Sequence, residues 1–257
     1  MRLDRSLIAG LPFFAGMEGE DLDLILSLAQ SARYPKETEV FAQGAEANRF
    51  FFLLAGHIRA VRTTPEGEQV IARYINQGEM FGIAVALGRP TYPASAVANI
   101  NQGEMFGIAV ALGRPTYPAS AVAAVDCVVL SWPNSAWPEL QSRIPAFSAN
   151  TYRTVGVRLQ ETQTRVVEMS TQAVEQRIAG ALLKLANQAG RKTEDGIEIG
   201  FPLTRQNIAE MTGTTLYTVS RLLSAWEQEG IVRSARQRVV VTDAHTLFLI
   251  AENRRPK

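Results

Sequence analysis

The stretch that most constrains the fold is residues 204–230, TRQNIAEMTGTTLYTVSRLLSAWEQEG. Counted from Arg205 as the first position, Ala209 stands fifth, Gly213 ninth and Val219 fifteenth. This spacing places a small residue where two helices touch, a turn residue between them and an apolar residue that locks the second helix. It therefore predicts a helix-turn-helix, with an ordinary helical hairpin as the alternative.

Threonines stand at the expected start of both helices. Thr204 and Thr215 are predicted N-caps, because a hydroxyl there accepts a hydrogen bond from an otherwise unpaired amide. The segment that follows the motif, GIVRSARQRVVVTD, predicts two short strands around a turn and carries Arg233, Arg236 and Arg238. Such a basic wing favours the helix-turn-helix over the hairpin.

The exposed side of the second helix is expected to enter the major groove of DNA. We expect Arg221 to donate two hydrogen bonds to one guanine, a contact worth about 1–3 kcal/mol of discrimination. A surface ion pair with Glu227 is the alternative. Arg205, at a helix N-terminus, is expected to hold a phosphate. The candidate DNA-binding residues are Thr204, Arg205, Thr215, Tyr217, Ser220, Arg221 and Arg236.

A long helical pattern precedes this motif. Its apolar positions follow spacings of 3, 4, 3, 4 and 3, which is typical of a coiled-coil seam with one polar position. We expect this seam to pair with a second copy of the chain, and a lone helix packing on its own domain is the alternative. The seam residues are Tyr152, Val155, Leu159, Thr162, Val166 and Met169.

The earlier half of the chain has the pattern of a β unit. From Glu37 to Trp132, strand-like runs such as FFFLLAGHIRAVR and QVIARYI are separated by glycine turns. Residues 1–169 hold 14 Lys and Arg against 16 Asp and Glu, whereas residues 170–257 hold 12 against 9. The basic excess of the tail is small, but it indicates which half would meet a polyanion.

Composition excludes several classes of protein. The chain has 46% hydrophobic and 20% charged residues and no run of about 18 apolar residues, so we expect a cytoplasmic protein without a membrane partner. Cys127 is the only cysteine, which excludes an internal disulfide and any iron-sulfur cluster held by several thiolates of one chain. It is expected to be buried rather than to act as a redox switch. The sequence contains no nucleophile motif and no phosphate-binding glycine loop, so we do not expect an enzyme.

One string occurs twice: INQGEMFGIAVALGRPTYPASAVA occupies residues 75–98 and again 100–123. The two strings start 25 residues apart, and removing one such period leaves 232 residues. Because one β unit has room for one such cassette, we expect residues 100–124 to fill it, since they run directly into AAVDCVVLSWP. Residues 75–99 would then be extruded as an insertion. A hybrid threading of the two identical copies is the alternative.

Taken together, these stretches resemble the Crp/Fnr family of transcription regulators. YPKETEVFAQGAEANRFFFLLAGHIRAVRTTPEGEQVIARY is similar to the family's β-roll, GEMFG to its effector cassette, and TRQNIAEMTG followed by TVSRLL to its winged helix-turn-helix. The resemblance implies an α+β fold with a cyclic-nucleotide-binding-like β-roll in residues 1–145, a dimerisation helix in 146–173 and a DNA-binding domain in 174–257. It also implies a homodimer on a pseudo-palindromic double-stranded DNA site, with RNA polymerase as a partner.

The cassette departs from the family members that bind cyclic AMP. There the resemblance implies a glutamate after the cassette glycine and an Arg-Ser pair downstream, whereas this chain has Ile108 or Ile83, and Pro118-Ala119 or Pro93-Ala94. A cyclic phosphate would lose its charge-assisted partners, so we expect an effector other than cyclic AMP. The effector-pocket candidates are Gly103, Glu104, Phe106, Gly107, Ile108, Tyr117 and Thr162.

The identity of the signal stays open between three readings. An apolar effector is the first, and a regulator that works without an effector because its pocket is vestigial is the second. The third is a haem-based nitric-oxide sensor like the family's denitrification regulators, with His57 as the obvious ligand, although strand alternation favours an exposed strand histidine there. Thr162 is either an effector contact or a device that sets the register of the seam. Tyr217 replaces the family's frequent glutamate, which puts the half-site sequence in doubt.

Overall fold

The computed structural model describes residues 4–83 and 116–254. Two compact units are present, Met1–Ile58 with Gln77–Gln160, and Arg59–Asn76 with Glu161–Lys257. In chain order the elements are α1 (Gly19–Ser27), β1 (Gln30–Tyr34), β2 (Glu39–Phe41), β3 (Arg49–Ala55), β4 (Ile58–Thr63), β5 (Gln69–Ile75), β6 (Met80–Phe81), β7 (Ser120–Ala123), β8 (Cys127–Pro133), α2 (Trp137–Arg143), α3 (Pro145–Thr171), α4 (Val174–Ala189), β9 (Gly190–Thr193), β10 (Gly196–Ile199), α5 (Arg205–Thr212), α6 (Leu216–Gln228), β11 (Val232–Ala235), β12 (Arg238–Val241) and α7 (Ala244–Ala251).

The first unit is built on an antiparallel sheet with strand order β1-β8-β3-β6, and β2 pairs separately with β7. Strand β3 is apolar on both faces. Because side chains alternate across a strand, Phe50 and Phe52 lie on one face and Phe51 on the other. Phe51 meets the rings of Phe81 and Phe41, with centroids 5.2 and 5.3 Å away.

The core of this unit lies on the Phe50 side of β3. Phe50 stacks on Trp132 with ring centroids 5.3 Å apart, and the Trp132 indole donates to the Ile25 carbonyl at 2.8 Å. Helix α3 is anchored there as well, because the buried Asn150 amide donates to the carbonyls of Phe13 and Ala15 at 2.7 and 2.9 Å. These bonds satisfy polar groups that burial would otherwise penalise.

The second unit combines the β4–β5 hairpin, the end of α3 and all later elements. Its sheet has the order β11-β12-β10-β9, with antiparallel pairs such as Val232↔Val241. Helix α4 packs against α7, and its buried positions Ile178, Leu182 and Leu185 recur at helical spacing. The α+β class predicted from the sequence is confirmed.

Two short strands follow α4. Strand β9 (Gly190–Thr193) pairs with β10 (Gly196–Ile199) in antiparallel register. This second strand supplies the hydrogen bonds that an edge strand would otherwise lack. No helix among residues 4–83 and 116–254 is long and apolar enough to cross a membrane.

The repeated string enters the first unit through its first copy. Met80 and Phe81 form β6, which pairs with Phe52 and Phe51 of β3, and both are buried. The expectation that 75–99 is extruded is therefore wrong for 75–83, because burial of these apolar residues against β3 holds them in the sheet. The second copy supplies β7, so the described ends match the hybrid threading. Residues 84–115 lie outside the described residues.

Candidate nucleic-acid interface

Helices α5 and α6 form the helix-turn-helix through the residues that the spacing indicated. Ala209 and Val219 are buried where the helices pack, and Gly213 has φ of 63° and ψ of 48° in the turn. This left-handed conformation favours glycine. A Cβ added to Gly213 would lie 2.9 Å from the Met169 Cε, so the site also lacks space for a side chain.

Both threonine caps are present. The Thr204 hydroxyl accepts from the Asn207 amide at 3.0 Å, and the Thr215 hydroxyl accepts from the Thr218 amide at 3.1 Å. Sequence reasoning missed Asn207, whose side-chain oxygen accepts from the Thr204 amide at 3.1 Å and completes a capping box. Its position three residues after the cap was the available signal, although glutamate or glutamine is usual there.

The first turns of α6 present an open polar face. Tyr217 is 77% exposed, Arg221 is exposed and Ser220 is half-buried. Within the part of the chain that the structure describes, no hydrogen bond or ion pair occupies Arg221. The alternative pairing with Glu227 is not made, and the Arg221 guanidinium is left for an external partner.

Glu227 instead joins Arg205 to the wing. Its carboxylate accepts from the Ser234 amide at 2.7 Å and from the Ser234 hydroxyl, and lies 3.6 Å from the Arg205 guanidinium. Arg205 also donates to the Ser234 hydroxyl at 3.1 Å. The phosphate contact predicted for Arg205 stays a prediction, but its guanidinium is already held within the protein. Sequence reasoning missed Ser234, because nothing local relates positions 29 residues apart.

The wing strands carry three arginines in different settings. Arg233 pairs with Asp195 and Arg238 with Glu198, each at 2.7 Å. Arg236 is exposed near the turn, and no ion pair to another described residue holds it. Of the three wing arginines, Arg236 is thus the one that no described carboxylate pairs, and its predicted contact with DNA stays a prediction.

Most of the predicted seam is exposed on α3. Tyr152, Leu159, Val166 and Met169 are exposed apolar residues, and Thr162 is exposed as well. Val155 differs, because it is partly buried against the apolar core of the first unit. The helix from Pro145 to Thr171 thus presents a largely exposed apolar stripe, with Val155 against the core and Met169 beside Gly213.

The predicted effector pocket is described only in part. Gly103, Glu104, Phe106, Gly107 and Ile108 lie outside the described residues, as do Pro93 and Ala94. Tyr117 is buried, stacks on Phe41 with centroids 3.9 Å apart and donates from its hydroxyl to the Arg49 carbonyl at 2.7 Å. Burial raises the pKa of the Tyr117 phenol above its usual value, and the hydrogen bond to Arg49 opposes the shift.

The first-copy cassette has apolar surroundings. Ile83, at the position where the resemblance implies a ribose-binding glutamate, is buried in the core of the first unit. Gly82 has φ of 62°, and a Cβ there would lie 2.8 Å from the Phe51 ring. Phe41, Phe51 and Phe81 therefore form, with Tyr117, a closely packed aromatic group.

The predicted position of Cys127 agrees with the structure, whereas that of His57 does not. His57 lies in the turn between β3 and β4, not on a strand as alternation indicated, and it is half-buried. Cys127 is buried as predicted, and its thiol donates to the Val125 carbonyl at 3.1 Å. Burial raises the pKa of this thiol. Among the described residues no group of three potential metal ligands is found.

Comparison with known proteins agrees with this geometry. Residues 176–248 match the Crp-like helix-turn-helix domain, and residues 31–101 match the cyclic nucleotide-binding domain. The chain belongs to the Crp/Fnr family. It is a DNA-binding transcription regulator and not an enzyme.

Relatives of this regulator match over nearly its whole length. The cyclic AMP receptor protein of Thermus thermophilus is 29% identical over 242 residues, 94% of this chain and 97% of that protein. The cAMP-activated global regulator CRP of Escherichia coli is 26% identical over 226 residues, covering 86% and 93%. The structure of FixK2 from Bradyrhizobium japonicum superimposes with a TM-score of 0.67 at 18% identity, over 86% of this chain and 96% of that one, which shows the shared fold.

Proposed function

We propose that this Crp/Fnr regulator acts as a homodimer that reads a pseudo-palindromic DNA site with α6 and responds to a small effector other than cyclic AMP. The open face of α6 carries the proposal. Arg221 is exposed and unoccupied within the described residues, on a helix whose start is fixed by the Thr215 cap. A guanidinium in this setting suits the paired acceptors of a guanine edge.

Substitution of Arg221 tests this assignment. Arg221→Ala should weaken binding to a duplex selected by the wild type by about 1–3 kcal/mol and relax one base position. Binding to random duplex should change little, since phosphates dominate there. Gln228→Ala, an exposed substitution later on α6, is the control. Fluorescence anisotropy at fixed salt measures both, and an equal loss on the two duplexes would contradict the base contact.

The homodimer is supported by the apolar stripe on α3. Leu159 is 40% exposed, and Tyr152 and Val166 lie seven residues before and after it on the same side. A stripe of this length left in water would be costly, whereas a second copy buries it symmetrically. The two copies of α6 in the dimer would then contact half-sites about 34–36 Å apart.

A charge placed in the stripe tests the dimer. Leu159→Glu should shift the chain toward the monomer in sedimentation velocity, because two carboxylates would be buried at the interface. Val157 is 54% exposed and, at about 100° per residue, lies on roughly the opposite side of α3. Val157→Glu is therefore the matched control, and monomers from both variants, or from neither, would argue against this seam.

The effector proposal rests on the cassette chemistry. The relatives named for cyclic AMP match 94% and 86% of this chain, but Ile83 is apolar and buried, and Pro118 with Ala119 offers no charge to a phosphate. The apolar side chains at the described start of the cassette, Phe81 and Ile83, favour an effector without a phosphate charge. Family resemblance adds RNA polymerase as a partner of the DNA-bound dimer.

Thermal shift tests the effector class. The 257-residue chain and a 232-residue form lacking one repeat should melt at unchanged temperatures with cyclic AMP, and a strong shift would contradict the proposal. A stabilising shift and a visible absorption band with haem would favour the haem-sensor reading, since His57 is the only imidazole of the first unit. The duplicated cassette favours a second candidate, a regulator that works without an effector because the duplication has spoiled its pocket. For this candidate, a ligand should shift the melting temperature of the 232-residue form but not that of the 257-residue chain.

A further inference from the structure

Arg165 on α3 joins three elements of the second unit. Its guanidinium donates to the Ala72 carbonyl of β5 at 2.6 Å and, through the other terminal nitrogen, to the Met211 carbonyl of α5. The two acceptors lie 93 residues before and 46 residues after it in the chain. One side chain thus connects the β4–β5 hairpin to the first helix of the DNA-binding motif.

The bonds of Arg165 are costly to break. The side chain is half-buried, and burial lowers the pKa of Arg165, with nearby Glu168 opposing the shift. A guanidinium stays protonated in proteins, so the charge is always present and needs its acceptors. Met211 is in the last turn of α5, where carbonyls lack helical partners and the helix dipole favours a cation.

Other contacts surround the same junction. The ring of Tyr74 on β5 lies 4.4 Å from the ring of Phe201, measured between centroids. Met169, one turn after Arg165 on α3, packs against Gly213 in the turn between α5 and α6. The hairpin, α3 and the helix-turn-helix therefore meet in one packed region, in which α5 cannot shift against β5 without breaking one of the part-buried hydrogen bonds of Arg165.

Arg177 provides a natural comparison. It donates to the Thr212 carbonyl at 3.1 Å and to the Gln172 carbonyl at 2.9 Å. It therefore satisfies the same end of α5, but it belongs to α4, and its bonds within the described residues go to Thr212 and Gln172 rather than to the hairpin. The two arginines share chemistry and acceptor type, and they differ in whether they reach β5.

We propose that Arg165 is the residue that couples the β4–β5 hairpin to the DNA-binding motif, so that occupancy of DNA and the conformation of the hairpin are linked. This inference rests on the proposed DNA-reading role of α6. By reciprocity, DNA that immobilises α5 and α6 must also change how often the hairpin opens. The linkage gives a signal on the hairpin without knowledge of the effector.

Hydrogen exchange followed by mass spectrometry tests the coupling on the full chain. In the wild type, binding of a selected duplex should slow exchange of the amides in residues 69–75 by about fivefold or more, the lower end of usual coupling. Arg165→Gln should abolish that change, whereas Arg177→Gln should keep it, both at saturating duplex. An Arg165-dependent acceleration would equally support the coupling and would mean that DNA breaks the junction.

Two results would overturn the proposal. In the first, binding of DNA to the wild type does not change the hydrogen-exchange rate of the hairpin. In the second, Arg165→Gln shows the same DNA-dependent change in that rate as the wild type. Should Arg165→Gln fail to fold, Arg165→Lys keeps the charge but not the two-armed geometry, and it should also lose the linkage. Anisotropy on the same duplex separates the two hypotheses, since a chain that binds no DNA refutes the proposed function rather than the coupling.

Discussion

Two groups of polar side chains, one in each unit, are held in different ways. In the first unit, Tyr117 and Cys127 are buried, burial raises the pKa of both, and each donates to a main-chain carbonyl. In the second unit, Arg205 is held by a carboxylate and Arg165 by a helix-end carbonyl. The first unit also holds a cation, because Arg158 pairs with Glu79 at 3.3 Å, so the contrast lies between the two neutral donors and the cations next to the helix-turn-helix rather than between whole units.

Removal of the Glu227 carboxylate, which holds Arg205, should have the largest effect. Glu227→Ala removes the acceptor of both Ser234 donors and the partner of Arg205, so the free energy of unfolding should fall by about 1–3 kcal/mol. DNA binding should weaken as well. Urea denaturation measures the first, with Gln228→Ala as the control, and an unchanged midpoint would show that the network contributes no stability.

A smaller loss in the free energy of unfolding is expected when the buried phenol of the first unit is changed. Tyr117→Phe keeps the stacking on Phe41 but leaves the Arg49 carbonyl without its donor, which should cost about 0.5–1.5 kcal/mol. Tyr217→Phe, on the exposed face of α6, should leave the unfolding midpoint unchanged. Equal midpoints for the two variants would remove the contrast between a buried and an open phenol.

The arginines of the wing offer a test within the second unit. Arg236→Ala should flatten the dependence of log K on log salt by roughly one unit, equally on selected and random duplex. Arg233→Ala should change that slope less, because Asp195 already accompanies the guanidinium at 2.7 Å. Salt titrations of the two variants give the comparison, and a larger change for Arg233 would reverse the assignment.

The smallest effect concerns reactivity. Because burial raises the pKa of Cys127, maleimide should label the native chain far more slowly than the urea-unfolded chain at neutral pH. Below the raised pKa the reactive thiolate is a minor species, so native labelling should increase as the pH rises toward that pKa. Rapid labelling of the native chain at neutral pH would contradict the burial of the Cys127 thiol.

Local patterns predicted the reading motif well. Ala209, Gly213 and Val219 have the roles that their spacing indicated, and both threonine caps form, since caps and helix contacts depend on residues three or four positions apart. Partners distant in sequence were not predictable. The choice of Glu227 for Arg205 instead of Arg221 depends on where the wing strand places Ser234.

The sequence by itself determined the elements of this regulator: the capped helix-turn-helix, the long α3 stripe and the alternating strands of the roll. Only the tertiary structure decided which ends of two identical strings enter the sheet, because identical residues have identical local preferences and only pairing with β3 distinguishes them. It also decided the junction at Arg165, since three elements far apart in the chain must pack together before one guanidinium can reach two carbonyls.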